Sequence, residues 1–155
     1  KWQSVLESLE NGKLLFWGYD RNRYYPILYP RGTWPTGGSF SGATARILTV
    51  GSNNKSVSLD SLPAGYVGSV GDMLSFTYNS TQYALHRVVE TFTANGSGVT
   101  AEFEVRPHVR PTATATTAVA VKRPACQMKI SPGSVSCTVN DIGWGALSFQ
   151  AEQTL

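Results

Sequence analysis

Two histidines, a glutamate pair, a glycine-rich pentapeptide and two cysteines are the residues of this chain whose types and spacing could do chemistry. His86 stands between Leu85 and Arg87 in an apolar run, and His108 lies between prolines in "RPHVRP". Neither has a carboxylate or cysteine at zinc-ligand spacing, so no metal motif is present. His86 reads as an ordinary strand residue rather than a catalytic base. Glu102 and Glu104 alternate along "AEFEVRP". Residues two apart on a strand lie roughly 7 Å from each other, a separation a glycosidase pair could use. Two acids on the polar face of a strand are more simply explained as solvated. The stretch "GSVGD" lacks the Gly-Lys-Ser/Thr ending of a phosphate loop and leads into no helix, so Gly71-Asp72 reads as a turn entering a strand. No serine occupies a nucleophile-elbow context. These residues specify neither an enzyme nor a cofactor or metal site.

Cys126 and Cys137 flank "QMKISPGSVS", which reads as a hairpin turning at Pro132-Gly133. In that register Cys126 faces Val139 and Cys137 faces Met128, leaving the thiols as diagonal neighbours near the limit for a bridge. Free thiols packing as small buried hydrophobes are the expected state. Two cysteines do not define a secreted disulfide framework.

The elements that must carry these residues are mostly strands. Of 155 residues only 15% are charged, against roughly 25% in typical domains, and Ser, Thr and Gly make up the difference. Such a composition suits sheets with hydroxylated rather than charged polar faces. "WQSVLESLENGK" is the one good helical pattern, with Asn11-Gly12 as its stop. "LLFWGYDRNRYYPILYP" reads as two strands joined at "DRNR", and "RGTWPTGGSFSG" as a loop or linker. From Ala45 onward short strands recur at roughly 8–12-residue spacing, with "NNK", "NST" and "NGSG" as turns. "QYALHRVVETFT" reads as a single strand. In "VTAEFEVRP" Ala101, Phe103 and Val105 take one face and Glu102, Glu104 and Arg106 the other. The expected fold is mainly β, an antiparallel sandwich or small barrel with one short N-terminal helix. Residues 1–30 are expected as helix plus hairpin of an incomplete N-terminal region, 31–44 as a Gly/Pro-rich linker, and 45–155 as the sandwich or barrel domain.

Charge distribution supplies one functional clue. The net charge of +3 is too small to argue nucleic-acid binding by itself. No run of about 18 apolar residues exists, so no membrane span is expected. Between Glu104 and Asp141 there is no acidic residue, while Arg106, Arg110, Lys122, Arg123 and Lys129 all fall there. A basic, proline-bracketed segment is either a solvated arm or a surface that docks on an acidic neighbour. It lacks the interleaved aromatics of a single-strand nucleic-acid groove, which favours a protein partner. Arg106, Arg110, Lys122 and Arg123 are the expected assembly interface. Trp17, Tyr19, Tyr24, Tyr25 and Tyr29 suit either core or interface.

The order of features resembles a family of tailed-phage structural proteins found at the distal end of the tail tube. The helix ending "LESLENGK", the aromatic Phe16 to Pro26 segment and Gly71-Asp72 stand in the family's order. So do Leu85 to Val88, the strand exit from Gly98 to Arg110, and Lys122 to Pro124. The resemblance covers nearly the whole chain, and each motif is short and structural. It implies a non-enzymatic distal tail protein without cofactors, forming a ring, commonly hexameric, that links the tail tube to the baseplate or tail tip. The implied partners are copies of itself and other tail proteins, with DNA only as cargo through the lumen. The implied location is the virion tail, assembled in the bacterial host cytoplasm. It also implies a region upstream of Lys1. Two rivals remain: a carbohydrate-binding β-sandwich using exposed Trp34 or Tyr78 as a sugar platform, and a virion hydrolase with converging acids or Ser and His.

Overall fold

The computed structural model describes residues 2–79, 81–139 and 145–154. It divides into two compact units, one of Lys1–Gly18 with Gln127–Leu155 and one of Tyr19–Cys126. The chain is mainly β, as the strand spacing leads one to expect, and the small-barrel form is the one adopted.

In the second unit six strands close an antiparallel barrel. They are β2 (Ala45–Val50), β3 (Ser56–Asp60), β5 (Met73–Thr77), β6 (Tyr83–Val88), β8 (Phe103–Arg106) and β9 (Ala118–Ala120). Their order around the barrel is β2-β3-β8-β6-β5-β9, and β9 returns to β2 through Ala45 opposite Val119. Alternation with a period of two puts Ile47, Val57, Leu59, Leu74, Phe76, Val88, Phe103, Val105 and Val119 inside, each almost wholly buried. Closure leaves these strands without a free edge.

The turns are the ones the sequence signals. Gly51 N–H donates to the Ser56 carbonyl across "NNK", and the Asn95 side chain accepts from the backbone of Ser97 and Val99 in "NGSG". The expected single strand "QYALHRVVETFT" is instead two. β6 ends at Val88, and β7 (Phe92–Thr93) pairs with β4 (Val67–Gly68) in a separate two-stranded sheet. Just beyond Val88 the Val89 N–H still donates to the Glu104 carbonyl, and the Glu90 carboxylate accepts the Glu104 N–H in place of a backbone carbonyl.

The expected second strand after "DRNR" is also absent. Pro26 and Pro30 remove two donors from "YYPILYP", and the segment forms turns, with Tyr29 N–H donating to the Pro26 carbonyl. Of the five aromatics left open between core and interface, only Tyr29 is buried. It packs on Tyr66, as do Trp34 and Phe40 of the glycine-rich stretch, with ring centres 4.8 to 6.3 Å apart. Residues 31–44 are thus irregular chain held against the barrel core, within the second unit.

In the first unit α1 (Trp2–Ser8) is followed by a tight turn at Glu10–Gly12. Strands β1 (Phe16–Gly18), β10 (Cys126–Ile130) and β13 (Ala151–Gln153) form a sheet in that order. β11 (Ser136–Val139) and β12 (Gly145–Ser148) form a two-stranded ribbon. The hairpin expected between the cysteine strands is therefore corrected. β10 pairs with β13, Met128 opposite Gln153, and Cys137 of β11 faces Leu147. The C-terminal chain takes the place of the expected partner, for Ser131 N–H already donates to the Gln150 carbonyl. Both thiols are free; Cys126 is buried as expected, whereas Cys137 is exposed.

Candidate functional site

The residues singled out for chemistry do not converge. His86 points into the barrel, its ring parallel to Phe76 with centres 4.6 Å apart. Its Nδ1 lies 2.8 Å from the Pro107 carbonyl, which makes Nδ1 the protonated nitrogen. Nε2 is buried and meets no hydrogen-bond partner among the described residues. Burial holds the imidazole below its ordinary pKa, and the Pro107 carbonyl opposes that only in part. His108 is exposed in the loop after β8. The Glu102 carboxylate accepts from Ser56 Oγ at 2.8 Å, and Glu104 pairs with Arg106. Asp72 is a structural anchor: its two oxygens accept the N–H groups of Ile27 and Ser69, each at 2.8 Å. That bears out the turn at Gly71-Asp72, whose glycine has φ +93°. Among the described residues no group of three or more His, Cys, Asp or Glu could hold a metal ion. Among the described residues no helix is long and apolar enough to cross a membrane.

The four basic residues expected as an interface separate into three places. Arg106 opposes Arg87 on β6 and is held by Glu104. Arg110 sits over the Tyr78 ring, 5.3 Å from its centre, at the end of β5 remote from Met73. Lys122 and Arg123 follow β9, whose register with β5 carries them toward Met73. Tyr78 is buried beneath this contact and Trp34 is half-buried in the aromatic cluster, so neither is the exposed platform a sugar site would need.

Lys122 and Arg123 meet a group the linear sequence did not bring together with them. The Tyr24 carbonyl accepts the Arg123 N–H at 2.7 Å, tying the end of β9 to the 19–31 loop. Lys122 Nζ lies 5.6 Å from the centre of the Tyr25 ring, and the Arg123 guanidinium 5.9 Å from that of Tyr19. Tyr24 and Tyr25 pack against each other at 4.8 Å. The same loop forms a concavity of about 300 Å³ lined by Arg21, Arg23, Arg31, Tyr24, Tyr25 and Ile27 among others. Local bonds set its shape. The Asp20 carboxylate caps the turn by accepting the Asn22 N–H at 2.8 Å, and Arg23 Nη1 donates to the Gly71 carbonyl at 3.1 Å. Among the described residues none of Arg21, Arg23, Arg31, Lys122 and Arg123 forms an ion pair. The result is five cations interleaved with tyrosines. The signal was present as three arginines within "RNRYYPILYPR", but only the fold adds Lys122 and Arg123 to them.

Comparison with protein-family models, with curated proteins and with solved structures gives no match to the chain.

Proposed function

We propose that the chain is a structural, non-enzymatic subunit of a phage tail. It would assemble with copies of itself and with other tail proteins into a ring that links the tail tube to the baseplate or tail tip. The observation that carries this reading is the β11–β12 ribbon. Two-stranded ribbons are marginal in water without a covering layer. Here Cys137 and Leu147 are directly opposed, and the same face continues through Val135 and Phe149, both 41% exposed. Within the first unit, Leu6 of α1 and Val135, Cys137 and Leu147 of the ribbon line an open cleft of about 540 Å³. A ribbon with an apolar face and open edges is suited to cover by a neighbouring subunit, and repeated head-to-tail contacts close rings. In this reading DNA passes the lumen as cargo and is not a ligand.

The full-length protein, run by size-exclusion chromatography with light scattering and imaged by negative stain, should give closed rings. Antibody against it should label the distal end of the tail on purified particles. A strict monomer at every concentration, together with unlabelled particles, refutes the reading.

A further inference from the structure

The tyrosine-lined cationic pocket formed by residues 21–31 beside Lys122 and Arg123 is a separate matter from the ribbon. We propose that it is a docking site for an acidic peptide segment of a partner protein, whose carboxylates enter between Arg21, Arg23 and Arg31. This goes beyond the ring reading and does not depend on it, since a chain that stayed monomeric would still carry the pocket.

Three observations point to that ligand. The first is unmet charge. Asp72 accepts the N–H groups of Ile27 and Ser69 with its two oxygens, Asp20 accepts the Asn22 N–H with one, and neither forms an ion pair among the described residues. No carboxylate among the described residues pairs with the five cations. Guanidinium groups bind carboxylates with two parallel hydrogen bonds, geometry that a lysine cluster would not offer.

The second is the state of the tyrosines. Tyr25 lies under Lys122 and Tyr19 under Arg123, so each ring has one face occupied by a cation. Tyr24 is packed on Tyr25. Single-stranded nucleic acid is held by bases stacking on successive open aromatic faces along a groove. Tyr24 and Tyr25, the tyrosines of the pocket lining, are half-buried and packed on each other, walls rather than open stacking platforms, and tyrosine beside arginine is the composition of protein-binding hot spots.

The third is size and lining. About 300 Å³ is roughly ten times the volume a water molecule occupies in the liquid, more than a single inorganic phosphate fills. Pro26, Ile27 and Pro30 add apolar surface to the arginines, with Ile27 about half exposed. A mixed cationic and apolar lining fits a peptide in which acidic and apolar side chains alternate.

The test uses the whole chain and a fluorescein-labelled peptide of alternating glutamate and tyrosine, followed by anisotropy. A second peptide carries glutamine in place of glutamate. Inorganic phosphate and a single-stranded oligonucleotide of equal net charge serve as competitors. The glutamate peptide should bind, with its glutamine counterpart at least about tenfold weaker. The double variant Arg21→Ala/Arg31→Ala removes two exposed guanidiniums that form no ion pair among the described residues, and should weaken binding on the order of 100-fold. Arg46→Ala, an exposed β2 arginine opposite Asp60, lowers the net charge by one elsewhere and should leave binding within about twofold. Equal binding of the glutamine peptide, wild-type affinity in the double variant, or no binding at all overturns the proposal. So does competition by phosphate alone at equal concentration, or tighter binding of the oligonucleotide, which would make the pocket a phosphate or nucleic-acid site.

Discussion

Acidification should destabilise the barrel through His86. The ring is 1% exposed, stacked on Phe76, bonded through Nδ1 to the Pro107 carbonyl, and without a partner at Nε2 among the described residues. Protonation would place a charge on that buried nitrogen, so burial lowers the folded-state pKa beneath the ordinary 6.5. In the unfolded chain the imidazole titrates near its usual value. Below that value the unfolded state therefore binds more protons than the folded state, and stability falls as pH falls. Above about pH 7.5 both states are neutral at this residue and its contribution is constant. One proton sets a limiting slope of about 1.4 kcal/mol per pH unit between the two pKa values. Urea unfolding followed by tryptophan fluorescence from pH 5.5 to 8 measures it, a window above the range where most carboxylates titrate. In His86→Leu the Pro107 carbonyl loses its donor, a cost of about 1–3 kcal/mol at pH 8, but the pH slope should shrink. Parallel wild-type and variant curves would sink the reasoning. So would a barrel that gains stability on acidification, since that would require an anion facing Nε2.

Four further outcomes follow from the same structure. Asp72→Ala strands two backbone donors, Ile27 N–H and Ser69 N–H, and should cost about 2–4 kcal/mol in the same urea assay. Gly98 has φ +76°, and an added Cβ would fall 2.1 Å from the Leu62 carbonyl oxygen. Gly98→Ala should therefore lower stability by about 1–3 kcal/mol, whereas Gly96→Ala, whose added Cβ meets nothing within 4 Å, should stay within about 0.5 kcal/mol. Burial pushes the Cys126 thiol up to about 11 while Cys137 is exposed, so a thiol-specific disulfide reagent at pH 8 should titrate one equivalent in the native chain and two in denaturant. Val135→Lys should change stability by no more than about 0.5 kcal/mol yet prevent ring formation, read by light scattering.

Elements whose physics is local were legible in the sequence. The alternation of Phe103 and Val105 with charged neighbours, the "NNK" and "NGSG" turns and the Gly71-Asp72 entry are all where spacing puts them. What escaped depends on partners distant in the chain. "QYALHRVVETFT" has unbroken strand propensity, and nothing local in it shows that Phe92 and Thr93 pair with Gly68 and Val67 instead of continuing in the barrel. The cysteine strands are well patterned for a hairpin, but register within one hairpin cannot reveal that residues 151–153 compete for the same backbone groups. The candidate interface was half legible for the same reason. Lys122 and Arg123 were visible as part of an acid-free run, but Arg21, Arg23 and Arg31 join them only through the Tyr24 carbonyl and two cation–π contacts.

The barrel itself offers little to recognise. Its inward residues are consumed by packing, Ser58 and Ser75 on the other faces of their strands are themselves buried, and the exposed strand cations Arg46, Arg87 and Arg106 are spread over β2, β6 and β8. Capacity for association lies in what the strands do not use: a ribbon with one exposed apolar face in the first unit, and an arginine loop in the second. The chemistry of these two surfaces differs. An apolar ribbon gains from burying area, is indifferent to salt and suits a permanent contact between like subunits. An arginine pocket draws on charge, weakens as ionic strength rises and suits selection among partners. Salt therefore separates them: assembly that persists at high salt reports the ribbon, and association lost there reports the arginines. A ring that fell apart on adding salt, with the ribbon intact, would move the subunit contact from Val135, Leu147 and Phe149 to the loop of Arg21, Arg23 and Arg31.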